Sequence, residues 1–200
     1  MTGMGENIVV FDIETKDAFS DVGGRDGLER LEISVLGSYD YGTGQYRVYE
    51  EGELGEFAER LSRKPLLVGF NSRRFDVPIL KKYIPFDISK LPQLDIMEEI
   101  VKALGHRLGL GSVAQATLGT GKSASGLDAI RFWREGRVEE LKRYCLDDVK
   151  ITKGVYEHGA EKGELLYTPK FGNSPGVVKV SWRIEHPNES EGSHIQHTLF

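Results

Sequence analysis

Residues 7–15 have the sequence Asn-Ile-Val-Val-Phe-Asp-Ile-Glu-Thr. It is rich in β-branched residues, and up to Ile13 its apolar residues occupy both alternating sets of positions. A strand with that pattern is covered on both faces, so we expect it to lie in the middle of a sheet. The run also contains two acids, Asp12 and Glu14, where the buried strand comes to its end.

The flanking segments predict a mixed α/β fold. Short apolar runs bounded by glycine or proline predict strands, and apolar residues at three- and four-residue spacing predict helices. The predicted strands cover residues 33–39, 45–49 and 66–70, and the predicted helices cover residues 53–61, 75–83, 96–104, 112–118, 124–133 and 138–161. Strands come first and helices mostly later, which indicates a single α/β domain built on a central sheet.

The composition fits one ordinary globular domain. The chain has 200 residues, 39% of them hydrophobic and 28% charged, which is enough to bury a core. No run approaches the roughly 18 apolar residues of a membrane span, so we expect no membrane partner. The single cysteine, Cys145, cannot form an internal disulfide, and we expect a cytoplasmic location. A net charge of −5 argues against a protein that coats nucleic acid through basic charge alone.

Asp12 and Glu14 are two residues apart on the predicted central strand, so both side chains point to one face of the sheet. Two buried carboxylates repel each other unless they are protonated, solvated or bridged by a cation. The apolar approach followed by two acids therefore indicates a site for a hard metal ion. The alternative is two acids that are solvated at a strand end, and the other segments must decide.

Two later segments supply further candidates. Residues 69–76, Gly-Phe-Asn-Ser-Arg-Arg-Phe-Asp, run from a predicted strand end to a helix start, where ligands gather in α/β sheets. Asp76 is either a third carboxylate of the site or a first-turn acid favoured by the helix dipole. Tyr144 and Asp148 are one turn apart on the long predicted helix, whereas Asp147 points elsewhere. A packed aromatic residue and a surface acid are the alternative interpretation of that pair.

These segments, taken in order, resemble the motifs of one nuclease family. Residues 10–15, 71–76 and 144–148 are similar to the three motifs of the DEDDy exonucleases of the RNase H-like superfamily, the third being Tyr-x-x-x-Asp. The second and third motifs resemble those of proofreading domains in family B DNA polymerases and of stand-alone bacterial and archaeal relatives. The resemblance covers about residues 7–163.

The resemblance implies a fold and an activity. The expected fold is RNase H-like, with a central mixed β-sheet flanked by α-helices in one domain over residues 1–167. Residues 168–200 would then form a C-terminal extension, with an edge strand suggested by alternating apolar residues and a flexible tail. The expected activity is a metal-dependent 3′-to-5′ exonuclease. It would hydrolyse phosphodiester bonds at the 3′ ends of single-stranded DNA or RNA, DNA being favoured, and release nucleoside 5′-monophosphates.

The resemblance also implies two divalent metal ions, Mg²⁺ or Mn²⁺. Asp12 is expected to bridge both ions, and Glu14 and Asp148 to hold the one that activates water. Asp76 is expected to support the other ion, mainly through water. Oxygen ligands suit these ions better than zinc, because the sequence has no cluster of cysteine and histidine at such a site. Tyr144, with an ordinary pKa of about 10, is a poor general base at neutral pH and is expected to orient the attacking water.

Five further residues are candidates for contact with the nucleic acid. Thr15, Asn71 and Phe75 are expected to contact the terminal nucleotide or shape its pocket. Arg73 and Arg74 are expected to hold phosphates. The alternatives are that Asn71 is an ordinary turn residue and that the two arginines form a solvated basic turn.

Two competing functions follow from other features. The first is a catalytically inactive nucleic-acid-binding module, or an exonuclease-like subunit of a helicase or polymerase. Converging carboxylates count against it, because without metal they repel phosphate. The second is a phosphate-binding loop at residues 119–123, Gly-Thr-Gly-Lys-Ser. That motif lacks its first glycine, since Ala116 stands there, and it follows a predicted helix instead of a strand.

Overall fold

The computed structural model describes residues 7–121, 126–169 and 175–182. The main sheet consists of β1 (Ile8–Thr15), β2 (Ile33–Asp40), β3 (Gln45–Glu50), β4 (Leu66–Gly69) and β5 (Gln93–Asp95). The strand order is β3-β2-β1-β4-β5. Pairing is antiparallel between β1 and β2 and between β2 and β3, whereas β4 runs parallel to both β1 and β5. The sheet is therefore mixed, and the strand predicted to be central lies in its middle.

Helices flank this sheet. Those in the described part of the chain are α1 (Leu54–Leu61), α2 (Asp76–Leu80), α3 (Ile96–Leu104), α4 (Leu110–Leu118), α5 (Gly126–Arg134) and α6 (Val138–Lys162). None of these helices combines the length and the apolar character that a membrane span requires. The predicted mixed α/β fold is confirmed.

The structure differs from the predicted elements in the length of one helix and in a short strand that the sequence does not predict. The helix expected over residues 75–83 is shorter, because the Tyr83 N–H turns back to the Leu80 carbonyl (2.9 Å). Pro85 then disfavours helical backbone in the residue before it. The sequence pattern also fails to predict β5, because three residues are too few for an alternation of apolar and polar positions to appear. The start of the helix predicted over residues 124–133 lies outside the described residues.

Both faces of β1 are buried, as its apolar pattern predicts. One alternating set of side chains packs against α1 and α2, and the other packs against α3, α4 and α6. The first set is Val9, Phe11 and Ile13, and the second begins with Ile8 and Val10. Asp12 and Glu14 continue the second set, so the fold directs both acids to the face that α6 covers.

The described part of the C-terminal segment packs against α6. A second, two-stranded sheet consists of β6 (Glu164–Tyr167) and β7 (Gly176–Lys179), which are antiparallel. Beyond β7 the Trp182 ring stacks on Tyr156 at 6.4 Å, and its indole N–H donates to the Tyr156 carbonyl (3.1 Å). Gly159 makes room for this ring, since a Cβ there would lie 2.0 Å from it. The tail predicted to be flexible lies outside the described residues.

Gly37 on β2 allows α6 to approach the sheet closely. It is buried and pairs with Asp12 on β1, on the face that α6 covers. A Cβ at this position would lie 3.0 Å from Cys145 Sγ, 3.0 Å from Val149 Cγ2 and 3.3 Å from the Cys145 carbonyl oxygen. The third of these atoms belongs to the helix backbone, so a side chain could be fitted only if α6 moved away from β2.

We expect Gly37→Ala to lower the free energy of unfolding by about 1–3 kcal/mol, the usual cost of overpacking a core. The matched control is Gly55→Ala on α1, where an added Cβ meets nothing within 4 Å. That change should be neutral or stabilising by up to about 1 kcal/mol, because alanine favours a helix over glycine. Urea denaturation of the three proteins measures both effects. Equal stability of Gly37→Ala and native protein would contradict the close approach of α6.

Candidate metal centre

The acids of the first and third motifs meet where α6 crosses β1. Asp12 is half-buried, and the other two are buried, Glu14 being 8% and Asp148 3% exposed. One carboxylate oxygen from each of the three lies within 4.8 Å of the other two. Three anionic groups that are so close and largely shielded from water repel one another strongly. An all-oxygen set of this kind fits a hard divalent cation such as Mg²⁺ or Mn²⁺.

Tyr144 lies beside this group on α6. It is 5% exposed, packs with the apolar residues Ala129 and Leu141, and its hydroxyl hydrogen-bonds the Asp148 carboxylate. Burial raises the pKa of the phenol well above its ordinary value, and the negative charge of the surrounding carboxylates, Glu14 foremost, adds to the effect. The Tyr144 hydroxyl therefore keeps its proton in the metal-free protein and acts as a donor.

The peptide group between Asp12 and Ile13 is held from both sides. On the α6 side, the fully buried thiol of Cys145 donates to the Asp12 carbonyl at 3.6 Å. On the other side, the Ile13 N–H donates to the Asp76 carboxylate at 3.2 Å. Burial raises the pKa of the Cys145 thiol, so the thiol stays protonated and able to donate. These two contacts fix the backbone between the acids of the first motif.

The structure places Asp76 apart from the three-carboxylate group. It is 4% exposed and begins α2, close enough to β1 to bond the residue between Asp12 and Glu14. Among the described residues, the group with one oxygen from each member within 4.8 Å of the others contains Asp12, Glu14 and Asp148 but not Asp76. The pairing of β1 with β4 accounts for this position of Asp76. The β1–β4 ladder ends at Val10, and the Ile13 N–H lies beyond that end. The Asp76 carboxylate accepts this N–H and is thereby held against the β1 backbone.

The second motif forms a tight turn whose side chains point in different directions. Asn71 has a positive φ of 66°, a conformation that asparagine tolerates better than most residues. The Arg73 guanidinium donates to the Gln93 carbonyl at 2.8 Å, which directs it towards β5. Arg74 is exposed, and Phe75 packs against the apolar core on the α1 side. The prediction that Arg73 holds phosphate thus concerns a side chain already engaged with β5.

Thr15 is the last residue of the first motif and is 6% exposed. Its hydroxyl donates to the Asp17 carbonyl at 2.8 Å, which stabilises the turn that leaves β1. The β1–β2 register shifts between Glu14 and Thr15, so the strand bends at the metal centre.

Asp95 is a buried residue next to the site that the motif comparison does not identify. Its carboxylate accepts N–H bonds from Asn71 (2.8 Å) and Arg73 (3.0 Å) of the second motif. One signal in the sequence was available, because an aspartate directly before a predicted helix at residue 96 is a typical helix N-cap. That signal predicts the cap but not the bonds to a loop more than 20 residues away.

The competing phosphate-loop interpretation fails at its first residues. Gly119 has a φ of 71° and ends α4 as a C-cap, its N–H bonding back to the Gln115 carbonyl (3.2 Å). A glycine in that role closes a helix and does not follow a strand, as a phosphate-binding loop requires. Lys122 and Ser123 of the motif lie outside the described residues.

Comparisons with known proteins agree with this architecture. The family model RNase_H_2, described as RNase_H superfamily, matches residues 9–159. The chain is 28% identical over 153 residues to a DNA-directed DNA polymerase of Enterobacteria phage T3, a match covering 71% of this chain and 21% of the polymerase. In structure it is similar to the RNase D of Trypanosoma brucei, with a TM-score of 0.54 and 15% identity over 77% of this chain and 57% of that one.

The chain thus spans about a fifth of the polymerase and somewhat more than half of the RNase D chain. The likeness to RNase D concerns the fold, and it confirms the RNase H-like sheet and helices that the motifs imply. The matched residues 9–159 run from β1 into α6 and include every residue of the three-carboxylate group. Since that match covers more than half of the 200 residues, the chain belongs to the RNase H superfamily.

Proposed function

We propose that this chain is a metal-dependent 3′-to-5′ exonuclease of the DEDDy type. It would act on single-stranded nucleic acid, DNA favoured over RNA, and release nucleoside 5′-monophosphates. The observation that carries the proposal is the three-carboxylate group of Asp12, Glu14 and Asp148, with the Tyr144 hydroxyl bonded to one of its members. Membership of the RNase H superfamily and the similarity to a DNA polymerase support a nuclease in particular.

The carboxylates would hold two divalent ions, Mg²⁺ or Mn²⁺. Asp12 is proposed to contact both ions, while Glu14 and Asp148 hold one of them. Asp76 lies against β1 at the side of the group and is proposed to support the second ion through water. When bound, such ions lower the pKa of an attacking water and stabilise the leaving 3′-oxygen.

Tyr144 is proposed to orient the attacking water. Its raised pKa keeps the phenol protonated at neutral pH, so it would not act as a base. The hydroxyl is fixed by its bond to Asp148, and the ring is held by burial between α5 and α6. Since its proton is donated to Asp148, the hydroxyl oxygen can accept from a water molecule beside the phosphate and so select one orientation of that water.

The substrate contacts are proposed from the positions of the candidate residues. Thr15, Asn71 and Phe75 lie on the two segments that border the carboxylates and would form the pocket for the terminal nucleotide. Arg74 is exposed and is the better candidate for a phosphate contact. For Arg73 to take that role, its side chain would have to leave the Gln93 carbonyl.

The alternative function is a binding module, or a subunit of a helicase or polymerase complex, that does not cleave. Three acids that converge without metal, two of them buried, repel phosphate, which is unfavourable in a module that only binds. Strand binding that shows no release of nucleotides in Mn²⁺ would favour this alternative.

We expect Asp148→Asn to abolish metal-dependent stabilisation, whereas Asp147→Asn should retain it. The two acids are adjacent on α6, but Asp147 is half-exposed and pairs with Lys150 at 2.9 Å, away from the carboxylate group. Native protein at Mn²⁺ concentrations 100 times the dissociation constant should gain about 2.7 kcal/mol. Without metal, Asp148→Asn should be at least as stable as native protein, because one repelling charge is gone. Melting curves across a Mn²⁺ titration measure this.

Nucleotide release by the same proteins separates metal binding from water orientation. Asp148→Asn should cleave at least about 100-fold more slowly than native protein, and Asp147→Asn at the native rate. Tyr144→Phe keeps every carboxylate, so it should bind Mn²⁺ almost normally while its cleavage falls about tenfold or more. Native cleavage by Tyr144→Phe would refute the role given to this hydroxyl, and native cleavage by Asp148→Asn would refute the site itself.

The direction of cleavage is tested with oligonucleotides that are blocked at one end. A block at the 3′ terminus of a labelled single strand should protect it, and the same block at the 5′ terminus should not. The reason is that the proposed pocket must receive a free 3′ end before the phosphate reaches the carboxylates. Products resolved by length on a gel distinguish the cases. Rapid cutting of a circular single strand would contradict the exonuclease assignment.

A further inference from the structure

Asp95 is a buried carboxylate that lies outside the three-carboxylate group. It is 2% exposed and stands between the end of β5 and the start of α3. Four backbone N–H groups donate to it, those of Asn71 (2.8 Å), Arg73 (3.0 Å), Met97 (3.0 Å) and Glu98 (3.4 Å). A carboxylate so deeply buried is stable only when its oxygens are satisfied in this way.

The four donors belong to two different structures. Met97 and Glu98 are in the first turn of α3, and bonds to them are what a helix N-cap provides. Asn71 and Arg73 belong to the second-motif loop that connects β4 to α2. Neither of these two residues is needed to cap α3. The bonds from Asn71 and Arg73 must therefore serve the loop itself.

The loop needs external support because its backbone is constrained. Asn71 is in the left-handed region, and its side-chain oxygen accepts from the Arg107 guanidinium. Next to it, Ser72 is packed so tightly that a Cβ on Gly69 would lie 2.5 Å from its side chain. L-residues enter the left-handed region at an energetic cost, and surrounding bonds must hold them there.

The loop also sets the start of α2. The Ser72 carbonyl accepts the Val77 N–H at 2.9 Å, directly after Asp76. Asp76 in turn accepts the Ile13 N–H, between the two acids of β1. A continuous path of hydrogen bonds and short backbone segments therefore leads from Asp95 to the metal centre.

We propose that Asp95 is a positioning residue of the metal centre. It fixes the second-motif loop so that Asp76 meets β1 between Asp12 and Glu14. The inference rests on the proposed function, since it assigns Asp95 to the same site. Asp95 itself contacts neither metal nor substrate in this account, and it acts through the loop.

Two substitutions separate positioning from capping. Asn and Ser both cap helices well, so Asp95→Asn and Asp95→Ser keep the start of α3. In Asp95→Asn the amide oxygen can take the place of Oδ1, which accepts from Asn71, Met97 and Glu98. The N–H₂ group then faces the Arg73 N–H, from which it cannot accept. The serine side chain is too short for its hydroxyl to accept from N–H groups of both the helix and the loop. Asp87→Asn is the matched control, because Asp87 is an exposed capping acid that accepts from the Ser89 N–H (3.1 Å).

The test measures the Mn²⁺ concentration at half-maximal thermal stabilisation, together with hydrogen exchange of individual amides. Both Asp95 variants should need about 10–100-fold more Mn²⁺ than native protein, as expected when a group that orients metal ligands is lost. Asp87→Asn should not differ from native protein. Exchange should become faster at Arg73 in both variants, because its partner Oδ2 is replaced or lost, while Met97 and Glu98 in Asp95→Asn keep their protection through Oδ1.

Two results would overturn the inference. One is a folded Asp95→Asn with the native Mn²⁺ midpoint and native exchange at Arg73. The other is unfolding of both Asp95 variants at the assay temperature, which would make Asp95 a residue of general stability. Failure of native protein to release nucleotides would refute the proposed function instead, and the Mn²⁺ midpoint would still decide the role of Asp95.

Discussion

Repulsion among three carboxylates at the end of β1 is the constraint on which the rest of the site depends. Asp12, Glu14 and Asp148 converge within 4.8 Å although like charges in a buried place favour separation. The convergence requires α6 to lie close to β1 and β2, and Gly37 makes that approach sterically feasible. Apolar packing of α6 against both sheets offsets the repulsion, and a bound cation would remove most of it.

The backbone around the acids is held as firmly as their side chains. The peptide group between Asp12 and Ile13 is bonded by the Cys145 thiol on one side and by the Asp76 carboxylate on the other. The two contacts come from α6 and from the start of α2, which are far apart in sequence. Such support suits a site that must keep its ligands in place before metal or substrate arrives. It also explains why Cys145 and Asp76 can matter to the site without belonging to the three-carboxylate group.

Much of this arrangement could be predicted from local patterns. The apolar residues of β1 predict a strand that is buried on both faces. Two acids that are two residues apart on such a strand necessarily share one face. The spacing of Tyr144 and Asp148 predicts a common helix face, and their hydrogen bond agrees with it. The remaining features arise from contacts between distant segments. Gly37 gives no signal of the helix that passes over it, and Asp95 predicts a cap but not its bonds to the second-motif loop. The engagement of Arg73 with β5 depends on a strand too short for the sequence to indicate.

The proposed function requires that these carboxylates bind a divalent cation and that the chain then cleaves nucleic acid from its 3′ end. The most direct test is release of mononucleotides from a 5′-labelled single strand by EDTA-treated protein, before and after Mn²⁺ is added. Native protein should release none without Mn²⁺, and with it should shorten the strand one nucleotide at a time. Asp12→Asn should stay inactive in both conditions. Cleavage without any divalent cation, or cleavage by Asp12→Asn at the native rate, would contradict the account.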